Sequence, residues 1–571
     1  MDRLIYDVDS NGVIWQHWYQ HAIMAPDRDA IVHMEESTEC YRWKWEPLMQ
    51  AASSAARWLA DKGVKQGDVC ALILRHNKHF YPLYMGISAL GALPAVLAYP
   101  NPRLHPAKFA QGLEGMSAHS GLDHVLTELD LEPMVGPILN KPQSSVRSLL
   151  FPLEEVARCF DDGRGLTLHP ACSADDPCLL QHSSGTTGLQ KPVILSHRAV
   201  LEHVRRYGAA IKLDYRDKVA TWLPLYHDMG LIAAFYLPLV CGIPIVQLSP
   251  LDWVSAPVTL MNAISEEKAT LCWLPNFAYN FMADRIRNED MEPVRLDSIR
   301  MLVNCSEPVR ATSHDRFYRK FEPFGLRQDA LTACYAMAET TFAVTQTPSG
   351  QPARSLAVNR GDLAQGTVTR IEGTPSTNAR ICVSSGIPID GCTVQILGEN
   401  REVLPPRMVG EIAISSISMF DGYRNHPEKT SQVLNGDWYY SGDYGFLDDG
   451  ELFVIGRKKD LIIVAGNNVF PEDVEDAVGK VPGIIPGRTV AFGTDDDRLG
   501  TEILCVIAES ELTSEPEKKA LRLAIVQAGM AIDVSISRVY LVPPRWMVKS
   551  SSGKPARSTN RSRALEEIPW R

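Results

Sequence analysis

Ser183-Ser184-Gly185-Thr186-Thr187-Gly188-Leu189-Gln190-Lys191 is the stretch on which the reading of this chain turns. It lies between the strand-like Cys178-Leu179-Leu180-Gln181-His182 and a segment with helical periodicity that opens at Ser196. Two glycines let backbone approach an anion, hydroxyl and amide groups can bond its oxygens, and the lysine adds charge. The chemistry is that of a phosphate cradle. It is not a Walker loop, because two residues rather than four separate the glycines and Pro192 follows the lysine where a magnesium-binding Ser or Thr belongs. A P-loop kinase or ATPase loses its key spacing. Taken alone, the stretch also suits a polar turn without chemistry.

Working outward, residues 45–99 run from an amphipathic helical segment to strand-like Val69-Cys70-Ala71-Leu72-Ile73-Leu74, then a helix and an apolar Ala92-Leu93-Pro94-Ala95-Val96. The alternation returns around residues 219–225, 269–275 and 299–305, which predicts a parallel or mixed sheet covered on both faces. Residues 347–379 are rich in Gly, Pro, Ser, Thr and Asn and read as a long surface insertion. After Arg457 a charged junction leads to strand-like Leu461-Ile462-Ile463-Val464 and a helix near Pro471, the pattern of a small second unit. The expected fold class is α/β: a large multi-layered N-terminal domain with mixed sheets over residues 1–457, then a small α+β C-terminal domain over residues 458–571. Its last stretch, residues 538–571, carries eight Lys/Arg against two Glu, and reads either as a solvated basic tail or as a patch that meets phosphates.

Composition narrows the function. With 571 residues, 45% hydrophobic and 22% charged, the chain is ordinary globular material. A formal net charge of −11 disfavours nucleic acid and anionic lipid as partners, so any polyanion site must be local. The 12 Cys are scattered without C-x-x-C or zinc spacing, as expected of reduced thiols in a cytoplasmic protein. No signal peptide is evident. The apolar stretches 83–100 and 231–248 are interrupted by Gly and Pro and read as buried helix-to-strand segments, with no membrane span expected.

Four further stretches join the loop: Tyr335-Ala336-Met337-Ala338-Glu339-Thr340, Trp438-Tyr439-Tyr440-Ser441-Gly442-Asp443, Gly456-Arg457-Lys458-Lys459-Asp460 with Gly466, and Ser551-Ser552-Gly553-Lys554. Each is weak alone, since Tyr335 reads as core, Glu339 as a cap and Asp443 as a turn residue just as readily. In order and spacing the five together resemble the adenylate-forming superfamily of acyl-CoA ligases, luciferases and nonribosomal-peptide adenylation domains, over nearly the whole chain.

The resemblance implies ATP-dependent activation of a carboxylic acid as acyl-AMP. Bringing a carboxylate to the α-phosphate of ATP crowds two anions together, so cations and oriented dipoles must hold the moving charge. By resemblance, Ser183, Ser184, Gly185, Thr186, Thr187, Gly188 and Lys191 hold the β/γ-phosphates, and Glu339 holds Mg²⁺. Tyr335 stacks on adenine, Asp443 and Arg457 anchor the ribose, and Ser306 and Glu307 complete the ATP site. Lys554 bridges the carboxylate and the α-phosphate. The small domain is expected to be mobile, turning about Asp460 so that Gly466 lines a tunnel for the thiol.

Trp222-Leu223-Pro224-Leu225-Tyr226-His227-Asp228, Asn304-Cys305-Ser306-Glu307-Pro308 and the insertion resemble the fatty acyl-AMP ligase branch. That branch passes fatty or polyketide-like acyl groups to the phosphopantetheine of an acyl-carrier protein; the alternative acceptor is free coenzyme A. His227 is expected near the substrate carboxylate, although a metal ligand or core histidine has the same appearance in sequence. Three departures from the family pattern, Pro192, Ala336 and Val548, suggest a slow ATP half-reaction, the protein then mainly thioesterifying supplied acyl-AMP. A binding protein that has kept the fold and lost the chemistry is disfavoured by the presence of Lys191, Glu339, Asp443, Arg457 and Lys554.

Overall fold

Short apolar strands at Leu93–Val96, Val69–Ile73, His124–Thr127 and Ser148–Leu150 pair side by side, all parallel. Parallel pairing needs crossovers and two covered faces. Trp45–Asp61 and the fully buried helix Phe80–Ala89 are among the helices that pack against this sheet. The computed structural model describes residues 8–35, 39–100, 106–161, 172–183, 191–373, 379–464, 467–496, 501–549 and 555–568.

Among these residues the largest sheet has nine strands. Its parallel centre runs Leu331–Ala336, Met301–Asn304, Leu271–Leu274, Val219–Thr221, Ile245–Leu248, Asp29–Glu35. Antiparallel strands close both edges, Glu39–Lys44 on one side and Ala343–Gln346 with Ile387–Pro388 on the other. The mixed sheets of the sequence reading are therefore present. The apolar stretches 83–100 and 231–248 are buried helix and strand, and among the described residues no helix is long and apolar enough to cross a membrane.

A third, antiparallel sheet contains Cys392–Leu397, Gly410–Ser416, Trp438–Asp448 and Glu451–Arg457. The segment read as a surface insertion packs against it. Ser355–Asn359 pairs with Ala379–Val383, and Val358, Leu363 and Val368 are buried with Phe446, Phe453 and Phe470. A few well-spaced apolar residues thus build a folded unit where low apolar density predicted a loop.

Beyond Arg457, helices Pro471–Gly479, Glu515–Met530 and Arg557–Glu567 flank strands Thr489–Asp496, Thr501–Glu509 and Ile536–Val542. Two apolar clusters there draw only on residues of this stretch. The basic end is not a solvated tail: Asn560 and Ala564 are fully buried, and Arg557 lies among carboxylates.

Candidate active site

The cradle loop joins two paired strands, not a strand and a helix. Pro177–Ser183 runs antiparallel to Lys191–Ser196, with Ser183 opposite Lys191. The following helix, His197–Ala210, is capped by its own Ser196 side chain a full strand away, so its N-terminus is not part of the cradle. Ser184, Gly185, Thr186, Thr187 and Gly188 lie outside the described residues, as do Gly466 and Lys554.

Lys191 is oriented by a residue the sequence reading missed. The Gly422–Tyr423 strand pairs with Val193 and Ile194, which brings the Tyr423 ring under the lysine, 4.7 Å from Nζ to the ring centroid. Lys191 Nζ donates to Tyr423 Oη at 3.2 Å, and Tyr423 Oη donates to Glu339 Oε1 at 2.7 Å. Glu339 is buried on a short turn that ends in Thr341 at φ 66°, a left-handed conformation costly for a β-branched residue. Burial, with Glu339 alongside, raises the Tyr423 phenol well above its usual range, so it remains a proton donor.

A second group adjoins the first. Tyr335 Oη donates to Asp443 Oδ2 at 2.7 Å, and Arg457 Nε lies 3.3 Å from Asp443 Oδ1, on the strand directly opposite. Asp443 raises the Arg457 guanidinium further above its ordinary value. Tyr439 links the groups: burial raises its phenol, and Glu339, Tyr423 and Tyr335 all act on it. Lys459 is lowered by burial and by Arg457, with Lys191 and Asp443 also in electrostatic reach.

His227 lies in the turn between the strand Val219–Thr221 and the helix Met229–Tyr236, its ring 5.0 Å from that of Tyr226. Gly230 permits this turn, because a Cβ there would collide with the Pro224 carbonyl oxygen. Ser306 also adopts a left-handed backbone (φ 67°), and Glu307 accepts a hydrogen bond from Phe277 N at 2.9 Å. Tyr226 lines a cleft with Leu223, Tyr81 and Val96, whereas Phe235 and Trp273 are fully buried core.

The C-terminal stretch reaches this region. Lys549 and Pro555 form an antiparallel bridge on either side of residues 550–554, and Glu307 acts on the Lys549 ammonium, which burial lowers. Asp460 is paired with Arg557, which also holds Glu472 and Glu475. Arg310, Arg360 and Arg380 converge on Asp473 at 3.6, 3.6 and 3.1 Å.

Among the described residues no group of three His, Cys, Asp or Glu could hold a metal. One buried carboxylate, Glu339, suits a hard ion that takes most of its shell from substrate phosphates and water, and does not suit a resident metal centre.

Residues 18–424 match the family of AMP-binding enzymes. The chain is 33% identical over 414 residues to the medium-chain fatty acid:acyl-carrier-protein ligase JamA of Moorena producens, covering 70% of this chain and 69% of that protein. Among solved structures, one from the studied fatty acyl-adenylate ligases of E. coli and L. pneumophila has a TM-score of 0.88 at 24% identity, over 98% of this chain and 99% of the other. The L. pneumophila fatty acyl-adenylate ligase in complex with acyl adenylate and pyrophosphate has a TM-score of 0.73 at 26% identity, over 97% and 96%.

Proposed function

The chain belongs to the AMP-binding enzyme family, and we propose that it is an acid–thiol ligase that activates a fatty or polyketide-like carboxylic acid with ATP as acyl-AMP. It then passes the acyl group to the phosphopantetheine thiol of an acyl-carrier protein. The single observation that carries this reading is the chain Lys191–Tyr423–Glu339 beside Tyr335–Asp443–Arg457. A cation and a buried carboxylate stand next to an aromatic ring and an Asp–Arg pair, the set that a nucleoside triphosphate requires. The carrier acceptor is supported by JamA, whose name states that acceptor.

In this reading Ser183, Ser184, Gly185, Thr186, Thr187, Gly188 and Lys191 hold the β/γ-phosphates, while Tyr335, Asp443, Arg457, Ser306 and Glu307 hold the nucleoside. Glu339 would hold Mg²⁺, which neutralises triphosphate charge when bound. His227 faces the acid, and Lys554 bridges carboxylate and α-phosphate. The lobe over residues 458–571 turns about Asp460 between the two half-reactions, opening the path by Gly466. The twelve free cysteines suit a reducing cytoplasm.

Carboxylate-dependent exchange of labelled pyrophosphate into ATP tests the first half-reaction. Supplying coenzyme A and a phosphopantetheinylated carrier separately, with thioester detected by mass, tests the second. Exchange followed by acylation of the carrier is expected. Turnover with coenzyme A alone would instead assign an acyl-CoA ligase, and absence of exchange with turnover of synthetic acyl-AMP would leave only the thioester step.

A further inference from the structure

The cleft beside Tyr226 carries polar atoms that the adenylation chemistry does not use. It opens at the carboxyl ends of Val219–Thr221 and Ile245–Leu248, the end at which such sheets bind ligands. Most of its wall is apolar, with Leu74, Phe80, Val96, Leu97, Leu223 and Leu225. His33 and Gln247 are partners in register on adjacent strands, so their side chains project from one face.

Several donors on this wall are already committed. Tyr81 Oη donates to His33 Nδ1 at 2.7 Å, because His33 Nε2 donates to the Glu35 carboxylate at 2.9 Å and the neutral ring has one proton. Arg75 is paired with Glu128 and Asp130.

The acceptors differ. Gln247 is 3% exposed, and its Nε2 donates to the Leu223 and Leu248 carbonyls at 3.4 and 3.1 Å. Both neighbours are acceptors, so the amide cannot turn round, and Oε1 is left buried without a partner among the described residues. His76, also on the cleft wall, donates Nε2 to the Met34 carbonyl at 2.9 Å. Burial and the adjacent His33 lower its pKa to about 4, so the ring is neutral and Nδ1 is an acceptor.

We propose that this cleft holds the body of the acid substrate and that Gln247 selects an acid bearing a hydroxyl on an otherwise apolar body, Oε1 accepting the hydroxyl proton with His76 Nδ1 as a second acceptor. The proposal rests on the acyl-AMP reading. A neutral hydroxyl fits better than an ammonium group, because no carboxylate is among the residues described on the cleft wall.

The test compares one saturated acid with a series in which a single hydroxyl is moved along the same chain, by pyrophosphate exchange. At least one hydroxylated isomer should exceed the plain acid about tenfold or more in kcat/KM, because a site built around a substrate hydroxyl penalises its absence. Gln247→Met should bring that ratio close to one, and His76→Phe should reduce it. The wild-type ratio needs no variant to fold. A plain acid that matches every isomer, or a preference that survives Gln247→Met, overturns the selection while leaving the ligase reading intact. No exchange with any acid overturns both.

Discussion

Tyr423 Oη lies 2.7 Å from Glu339 Oε1 and donates its proton there, while Lys191 Nζ donates to the same phenol from the other side at 3.2 Å. One hydroxyl therefore sets the positions of a cation on a strand and an anion on a separate turn. Tyr423→Phe keeps the ring under Lys191 and removes this tie. A hydrogen bond to a charged group contributes about 1.5–3 kcal/mol, so pyrophosphate exchange should fall about ten- to a hundredfold. Titrating magnesium and ATP separately should show the loss as a raised requirement for both; an unchanged requirement would assign Tyr423 to packing alone.

Arg557 is shared by Asp460, Glu472 and Glu475, and one guanidinium cannot neutralise three carboxylates. Burial raises Glu475 from 4.5 to about 7 despite its bonds to Arg557, with Glu472 adding like charge. The folded state thus binds this proton more tightly than the unfolded one. The associated stability is present in full below about pH 4.5 and is lost as pH rises through 7. Denaturant unfolding followed across that window should show a falling stability, and Glu475→Gln should flatten the slope.

The strands near residues 69–74, 92–96, 219–225, 269–275 and 299–305 were legible because their apolar runs are bounded by turns, whereas Asp29–Glu35, His124–Thr127, Ser148–Leu150 and Leu331–Ala336 were not singled out. Lys191, Glu339, Asp443 and Arg457 were legible as types of residue in a familiar order. Tyr423 was not: it is one aromatic residue, 232 positions from Lys191, and only strand pairing brings it there. The Lys191–Ser196 strand was hidden by Pro192, which argues against strand assignment and stands here as its second residue. The convergence of Arg310, Arg360 and Arg380 on Asp473 is likewise a property of tertiary packing, and long-range charge pairing leaves no local period.

Val548, one of the three departures from the family pattern, has a local reason. Its N–H donates to Asn560 Oδ1 at 2.8 Å, and its carbonyl accepts from Asn560 Nδ2 at 2.8 Å. Asn560 is fully buried. A proline at 548 has no N–H and would leave the buried Asn560 Oδ1 without its donor, so Val548→Pro should destabilise the chain by about 1–3 kcal/mol, read by denaturant unfolding. An unaffected or more stable variant would show that Asn560 finds another donor.

Lys554→Ala separates the two half-reactions. Under the proposed roles the lysine meets only the carboxylate and the α-phosphate, so its removal should abolish pyrophosphate exchange and spare thioester formation from synthetic acyl-AMP. Loss of both activities together would contradict a lobe that uses different faces in turn.

Asp473 ties the stretch beyond Arg457 to residues that precede it. Arg310, Arg360 and Arg380 meet its carboxylate, and Arg310 Nη2 also donates to the Glu472 carbonyl at 3.0 Å. Phe470, three residues earlier, is buried among Val358, Cys382 and Ile455. In this arrangement Glu307 is within electrostatic reach of Lys549. Asp473→Ala leaves three guanidinium groups without their shared anion and should weaken this arrangement relative to any other the lobe adopts. Under the proposed roles adenylation needs Lys554 in the site, so it should then slow about tenfold or more, whereas thioester formation from synthetic acyl-AMP should hold or rise. If both steps slow equally, the arginine cluster serves the stability of the fold and not the choice between its arrangements.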